Sequence, residues 1–218
     1  MEEIRKLLSK YGKLIIEKGL AAGPGGNISA KEKNFVYLSP SGFALDEIKI
    51  DEWVKFDLKT GKVFGKYRPT CEISMHLGIY LERKDVKAVI HTHPPITIGL
   101  ISSGVKIKPL FPDFVAIVGR KVGYINYVIP AGEEIRKAVV KEIKKYNVVL
   151  LKNHGVVSVG ENLKEAFVRN WIIEETAKML FAGKMFGKTR YLTEKEILGI
   201  ENLEAEDYRK TLLRINTK

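Results

Sequence analysis

The run from Lys87 to His93 is apolar through Ile90 and then closes on His91-Thr92-His93. Residues i and i+2 of a strand point to the same face, so a strand through this run aims both imidazoles at one point. Any fold must therefore hold this strand in its interior with one end open to a site. A third histidine, His154, falls between two more apolar runs, Val148 to Leu151 and Val156 to Val159, just before Gly155. Three histidines and an open position are the plan of a catalytic zinc site, with Zn–N distances of about 2.0–2.1 Å. The competing reading is a polar strand end whose imidazoles are each satisfied by separate hydrogen bonds. Because Cys71 is the only cysteine, an internal disulfide and a cysteine-built zinc site are both excluded, and any metal must rest on His, Asp or Glu.

Around this strand the pattern alternates between periods. Residues 2 to 19 place Ile4, Leu7, Leu8, Tyr11, Leu14 and Ile15 at helical spacing, with Gly19 as a stop. The turn Gly23 to Asn27 leads into short strands near Ile28 to Ala30 and Phe35 to Leu38. Trp53 to Leu58 and Lys62 to Phe64 flank Lys59-Thr60-Gly61 as a hairpin. Helices are expected from about Glu72 to Arg83, Ile96 to Ser102, Gly132 to Lys145 and Leu163 to Phe186, with charged helices closing the chain. The stretch between Ser102 and about Ile129 reads as irregular. Hairpin-like pairs with few βαβ crossovers predict a mixed or largely antiparallel sheet layered with helices rather than a Rossmann sheet. No repeat or Pro/Ser-rich linker divides the chain, so residues 1–218 are expected to form one domain.

Three turns carry chemistry of their own. Asn27 follows paired glycines, Ser41-Gly42 follows a proline, and Pro69-Thr70-Cys71-Glu72 opens a helix. Unpaired N–H groups at such turns make ready anion sites. Glu72 in the first turn of its helix can ligate a metal at rest and serve as a base when substrate displaces it. Ordinary loop chemistry, and for Glu72 a helix-dipole contact of about 0.3–1 kcal/mol, are the competing readings.

Gly26-Asn27-Ile28-Ser29, Ser39-Pro40-Ser41-Gly42, Pro69-Thr70-Cys71-Glu72 with Met75-His76, Ala88 to Pro94, and Asn153-His154-Gly155 in this order closely resemble the class II aldolase/adducin family over about residues 4 to 185. The resemblance implies an α/β fold, three-layer α/β/α with a central, mostly antiparallel (mixed) sheet, assembled as a homotetramer with metal sites near subunit interfaces. It implies Zn²⁺, one per chain, on His91, His93 and His154, with Glu72 as a further ligand and as the catalytic acid/base. It implies substrate phosphate held by Gly26, Asn27, Ser41, Gly42, Thr70 and Cys71. The implied reaction is cleavage of a ketose 1-phosphate to dihydroxyacetone phosphate and a short aldehyde, the charge left beside the ketone being held as an enediolate.

Some positions depart from the family pattern. Cys71 stands where a serine is usual, and a thiol is the weaker donor. The segment Phe111-Pro112-Asp113-Phe114 offers Asp113 where fuculose enzymes of the family carry a tyrosine that protonates the leaving aldehyde oxygen. A C-terminal tyrosine reaching in from a neighbouring subunit is also expected, with Tyr208 the candidate and Tyr191 the alternative. His76, one turn after Glu72, reads as a core residue or as a support behind the ligands. Two further functions stay open: a dehydratase acting on a methylthioribulose-type phosphate, and an adducin-like binding module without catalysis.

Net charge bears on partners. The chain has 37 Lys and Arg against 26 Asp and Glu, a balance of +11, made of 28 Lys and 9 Arg with no Gln. Abundant Lys and Glu with few amides is the surface expected of a heat-adapted protein. The lysines are scattered without a block of five like charges, so nucleic acid is not expected as a partner and small anions are. No run approaches 18 uncharged apolar residues and the first twenty are charged throughout. Neither a membrane span nor a secretory signal is expected, and the cytoplasm is the default location.

Overall fold

The structure, a computed structural model, describes residues 2–215. Among the described residues one eight-stranded sheet runs in the order β4-β3-β2-β1-β5-β8-β7-β6. Its strands are β1 (Asn27–Glu32), β2 (Phe35–Leu38), β3 (Val54–Asp57), β4 (Val63–Phe64), β5 (Ala88–Thr92), β6 (Gly123–Ile125), β7 (Val148–Leu151) and β8 (Gly155–Gly160). Every neighbouring pair is antiparallel except β6 with β7. The expected hairpin at Lys59 to Gly61 is present: Asp57 and Lys62 close it through Asp57 N–H to the Lys62 carbonyl at 2.9 Å. Gly61 takes the positive φ of 70° that this turn requires.

Helices cover both faces. On one side lie α1 (Glu2–Glu17), α3 (Pro95–Ser102) and α5 (Leu163–Phe186), and on the other α2 (Ile73–Glu82) and α4 (Gly132–Ile143). Strand alternation explains the split. Ile28, Ala30, Ala88 and Ile90 face α1 and α5, whereas Val89, Val149, Val157 and Val159 face α2 and α4. Each fully buried Leu, Ile or Phe contributes about 1.5–3 kcal/mol of transfer free energy. Gly78 lets α2 and α4 approach closely, since a Cβ there would lie 2.9 Å from the Arg136 Cγ. Two short helices, α6 (Glu194–Glu201) and α7 (Glu204–Arg214), close the described chain, the first under a Thr193–Glu196 capping box. The three-layer α/β/α arrangement with a mostly antiparallel sheet is the expected one.

The segment between Ser102 and Ile129 is more ordered than its sequence suggests. It contains a π-helical turn, Phe114–Val118, and strand β6, which pairs parallel to β7. The chain therefore does make a βαβ crossover, β6-α4-β7. Three residues at a sheet edge carry too short an alternation to be legible alone. No helix among the described residues is long and apolar enough to cross a membrane.

Candidate metal centre and active site

Strands β5 and β8 pair with His91 opposite Val157, and the end of β5 lies beside the turn that carries His154. The three imidazoles meet there. His91 Nε2 lies 3.2 Å from His154 Nε2 and 3.1 Å from His93 Nε2. Metal bonds of about 2.0–2.1 Å in tetrahedral geometry place ligand nitrogens roughly 3.3 Å apart, close to these separations. His91 Nδ1 donates to the Val156 carbonyl at 3.0 Å, which leaves its Nε2 lone pair aimed at the other two rings. Gly155 makes the cluster possible, because a Cβ there would sit 2.2 Å from the Thr92 carbonyl oxygen and 2.9 Å from His93 Cδ2.

Glu72 arrives from the opposite direction. It is the N-cap of α2 rather than a residue of its first turn, and its side chain is buried. One oxygen, Oε2, lies 3.2 Å from His91 Nε2, and the other, Oε1, lies 3.6 Å from His154 Nε2. Oε1 has no hydrogen-bond partner among the described residues. The Nε2 atoms of three imidazoles and the oxygens of a carboxylate thus face one another. Only a cation or protons shared among them reconcile that arrangement, and the donor set fits a divalent transition metal.

The charges agree with this. Burial and the neighbouring imidazoles lower His93 and His154 to about 4 each, with Glu72 opposing, so both are neutral and able to ligate near pH 7. Burial raises the Glu72 carboxyl, but the neighbouring imidazoles of His91 and His154 and the hydrogen bond from Asn27 outweigh that and hold it well below the usual carboxylate range. Glu72 is therefore an anion.

The residues expected at the phosphate lie around this point. Gly26 has φ 76°, and a Cβ on it would come within 2.8 Å of the His91 carbonyl oxygen, so the β1 entry admits only glycine. Asn27 is buried, and both ends of its amide are engaged: Nδ2 donates to Glu72 Oε2 at 2.8 Å, and Oδ1 accepts from His76 Nε2 at 2.6 Å. The turns holding Ser41-Gly42 and Thr70-Cys71 are joined. Ser41 N–H donates to the Arg68 carbonyl at 2.9 Å, Thr70 N–H to the Ser39 carbonyl at 3.0 Å, and Pro40 bridges Pro69. Thr70 Oγ1 accepts from the Glu72 N–H at 3.3 Å, while Ser41, Gly42 and Cys71 are exposed. Both turns are thus tied to Glu72, leaving the serine hydroxyl and the thiol open to solvent.

The expected proton donors lie elsewhere in the chain. Asp113 forms an ion pair with Arg209 of α7 at 3.0 Å. Tyr208, on α7, is 66% exposed. The end of α7 is tied to the start of α5, where Asn162 Nδ2 donates to the Leu213 and Arg214 carbonyls. That start follows Gly160, the end of β8 remote from His154, about 17 Å away at a strand's rise per residue. Tyr191 donates its hydroxyl to the Lys106 carbonyl.

Sequence reading missed the polar supports on α5. Asn170 accepts from Thr92 Oγ1 at 2.7 Å, and Glu174 accepts from the Thr97 N–H and hydroxyl at 2.9 and 2.7 Å. Together they pin the backbone on both sides of His93. Their spacing of four within an apolar helix face was the available signal.

Comparison with known proteins places the chain. The profile of the family described as Class II Aldolase and Adducin N-terminal domain matches residues 6–181. The L-fuculose phosphate aldolase of Methanocaldococcus jannaschii is 34% identical over 175 residues, covering 80% of this chain and 94% of that protein. The 5-deoxy-D-ribulose 1-phosphate aldolase of Bacillus thuringiensis serovar kurstaki is 32% identical, covering 93% and 94%. The 3-oxo-tetronate 4-phosphate decarboxylase of Haemophilus influenzae is 30% identical, covering 91% and 96%. A solved structure of an L-fuculose 1-phosphate aldolase superposes with a TM-score of 0.84 at 30% identity, covering 95% of this chain and 96% of that one.

Proposed function

The chain belongs to the class II aldolase and adducin family, a family of metal-dependent aldolase-type enzymes, and on that premise we propose that it is a zinc-dependent aldolase cleaving a ketose 1-phosphate to dihydroxyacetone phosphate and a short aldehyde. What carries this reading is the convergence of three imidazole Nε2 atoms with an ionised, half-partnered carboxylate. His91, His93 and His154 would hold one zinc per chain. When bound, the ion supplies Lewis-acid stabilisation of charge growing on a ketone oxygen.

The chain's own groups do the rest. Asn27 fixes Glu72 through Oε2, so Oε1 is the atom that takes and returns the carbon-bound proton. Gly26, Asn27, Ser41, Gly42, Thr70 and Cys71 position the phosphate, although the side-chain amide of Asn27 is itself engaged by Glu72 and His76. Tyr208, exposed on α7, donates a proton to the leaving oxygen in the site of a neighbouring copy. That role requires an oligomer, read as a homotetramer of single-domain 1–218 chains working in the cytoplasm. An adducin-like binding role has no use for a buried carboxylate beside three ligating histidines.

The relative named as a 3-oxo-tetronate 4-phosphate decarboxylase supports a second reading. Decarboxylation beside a ketone leaves the same kind of charge on the same oxygen, so the site suits it equally well. Product identification decides between them. The zinc-loaded protein is offered a panel of ketose 1-phosphates and a 3-oxo sugar-acid phosphate. Dihydroxyacetone phosphate supports the aldolase and carbon dioxide the decarboxylase, whereas a diketone phosphate formed with loss of water supports a dehydratase.

A further inference from the structure

Behind Glu72 lies a buried chain of polar groups that metal binding does not require. Tyr80 OH is 2.8 Å from Ser29 Oγ, and Ser29 Oγ is 2.7 Å from His76 Nδ1. His76 Nε2 is 2.6 Å from Asn27 Oδ1, and Asn27 Nδ2 is 2.8 Å from Glu72 Oε2. Ser29, His76 and Tyr80 are each at most 1% exposed. All five groups therefore have to satisfy one another.

Their roles follow from one end. Glu72 as a carboxylate only accepts, so the Asn27 amide must present Nδ2 to it and turn Oδ1 away. Oδ1 cannot donate, so His76 must carry its proton on Nε2. His76 Nδ1 then holds the lone pair and accepts from the Ser29 hydroxyl, which in turn accepts from Tyr80. The donors run Tyr80, Ser29, His76 and Asn27 in turn, and the chain ends on Glu72 as the acceptor. Reversing the amide would turn Asn27 Oδ1 against the carboxylate and Nδ2 against a nitrogen that already bears a proton. Burial pushes His76 down to about 3, which keeps the ring neutral and restricts it to one donor.

We propose that His76 is a positioning residue whose Nε2–H locks the orientation of the Asn27 amide, so that Asn27 always donates to Glu72 Oε2 and Glu72 Oε1 alone faces the reacting carbon. This deepens the proposed function and rests on Glu72 acting there as acid/base. Without the Nε2–H donor, the amide can rotate and present Oδ1 to Glu72. The carboxylate then loses its anchor, and neither oxygen is held for proton transfer. His76 touches neither substrate nor ion, so its influence falls on the rate of proton transfer rather than on binding.

The test combines spectroscopy and kinetics. Nitrogen NMR of histidine-labelled protein, recorded as purified, should show His76 as the neutral Nε2–H tautomer through the neutral pH range. The Nδ1–H tautomer overturns the proposal without any variant being made. His76→Phe should lower kcat for solvent exchange of the carbon-bound proton of dihydroxyacetone phosphate by about 10–100-fold, with KM and zinc content near the wild-type values. His76→Gln, which offers an amide donor near the Nε2 position and an acceptor toward Ser29, should restore the rate to within about threefold. Equal rates in wild type and His76→Phe, or His76→Gln as slow as His76→Phe, overturn it. Glu72→Gln is measured alongside: wild-type exchange in that variant refutes the role of Glu72 in the proposed function, whereas loss there with no effect at His76 refutes the lock alone.

Discussion

Asn27 and His91 are direct antiparallel partners across β1 and β5. One strand pair therefore fixes two halves of the site: the amide that holds Glu72 and the imidazole that anchors the histidine cluster. Gly26 just before the pair and Gly155 near its far side leave room where two backbones and two rings meet. Because the sheet sets this spacing, the Glu72 carboxylate is held against the imidazoles by a rigid element rather than by a loop.

Gly155→Ala should weaken metal binding and stability together. The new methyl would meet the Thr92 carbonyl at 2.2 Å and the His93 ring at 2.9 Å, so β5 and the imidazole must shift. Overpacking of this kind costs about 1–3 kcal/mol. Thermal denaturation should show a lower Tm, and zinc titration an affinity reduced by about tenfold or more. Wild-type values in both would mean that the turn relaxes freely.

Glu72→Gln should keep the fold and the metal but abolish proton exchange. The amide preserves an acceptor for Asn27 and removes the basic oxygen. General-base loss of this kind costs about 10²–10⁴-fold. Deuterium incorporation into dihydroxyacetone phosphate measures it, and unchanged incorporation would remove Glu72 from the base role.

Acid should act on the metal-free protein before it acts on zinc binding. His93 and His154 are lowered from 6.5 to about 4, so between those values the unfolded chain binds protons that the folded chain refuses. Stability is then full above about 6.5 and falls as pH drops toward 4. Zinc competes with protons at His93 and His154 only near pH 4, so these two ligands should cost it little affinity between about pH 7 and 5.5. Tm scans with and without zinc, and zinc titrations at the two pH values, check both statements. A loss approaching about a hundredfold by pH 5.5, as two histidines with the ordinary value would give, would contradict the second.

Cys71→Ser should tighten substrate binding. Cys71 is exposed beside Glu72, where a hydroxyl would donate more strongly to a phosphate oxygen than a thiol does. A gain of about 0.5–1.5 kcal/mol corresponds to a KM lower by roughly two- to tenfold at unchanged kcat. An unchanged KM would place the phosphate away from this side chain.

The boundaries of α5 and of β2 and β7 were legible because long amphipathic or uninterrupted apolar runs end at clear turn residues. The meeting of His91, His93 and His154 was legible from strand parity and a turn. Strand β6 and the π-helical turn were not, since each is too short to show a period and depends on β7 and α5 for its burial. The engagement of Asn27 was also hidden. Its position at the start of β1, after paired glycines, reads equally well as a phosphate-binding turn, and only the placement of α2 over β1 brings His76 and Glu72 to the two ends of its amide.

Tyr208 can be tested without knowing the assembly in advance. On its own chain it is exposed on α7, whose end is tied to the start of α5, so the proposed role is assigned to another copy's site. Tyr208→Phe and Glu72→Gln should each be slow alone. Unfolding and refolding a mixture of the two lets chains with intact Glu72 sit beside chains with intact Tyr208. Sites that draw one group from each regain function, and with random assembly about a quarter of wild-type activity should return, because two independent half-chances must coincide. Each variant refolded by itself should gain nothing. If the mixture stays as slow as its components, Tyr208 does not serve a neighbour's site, and the proton for the leaving oxygen comes from another group.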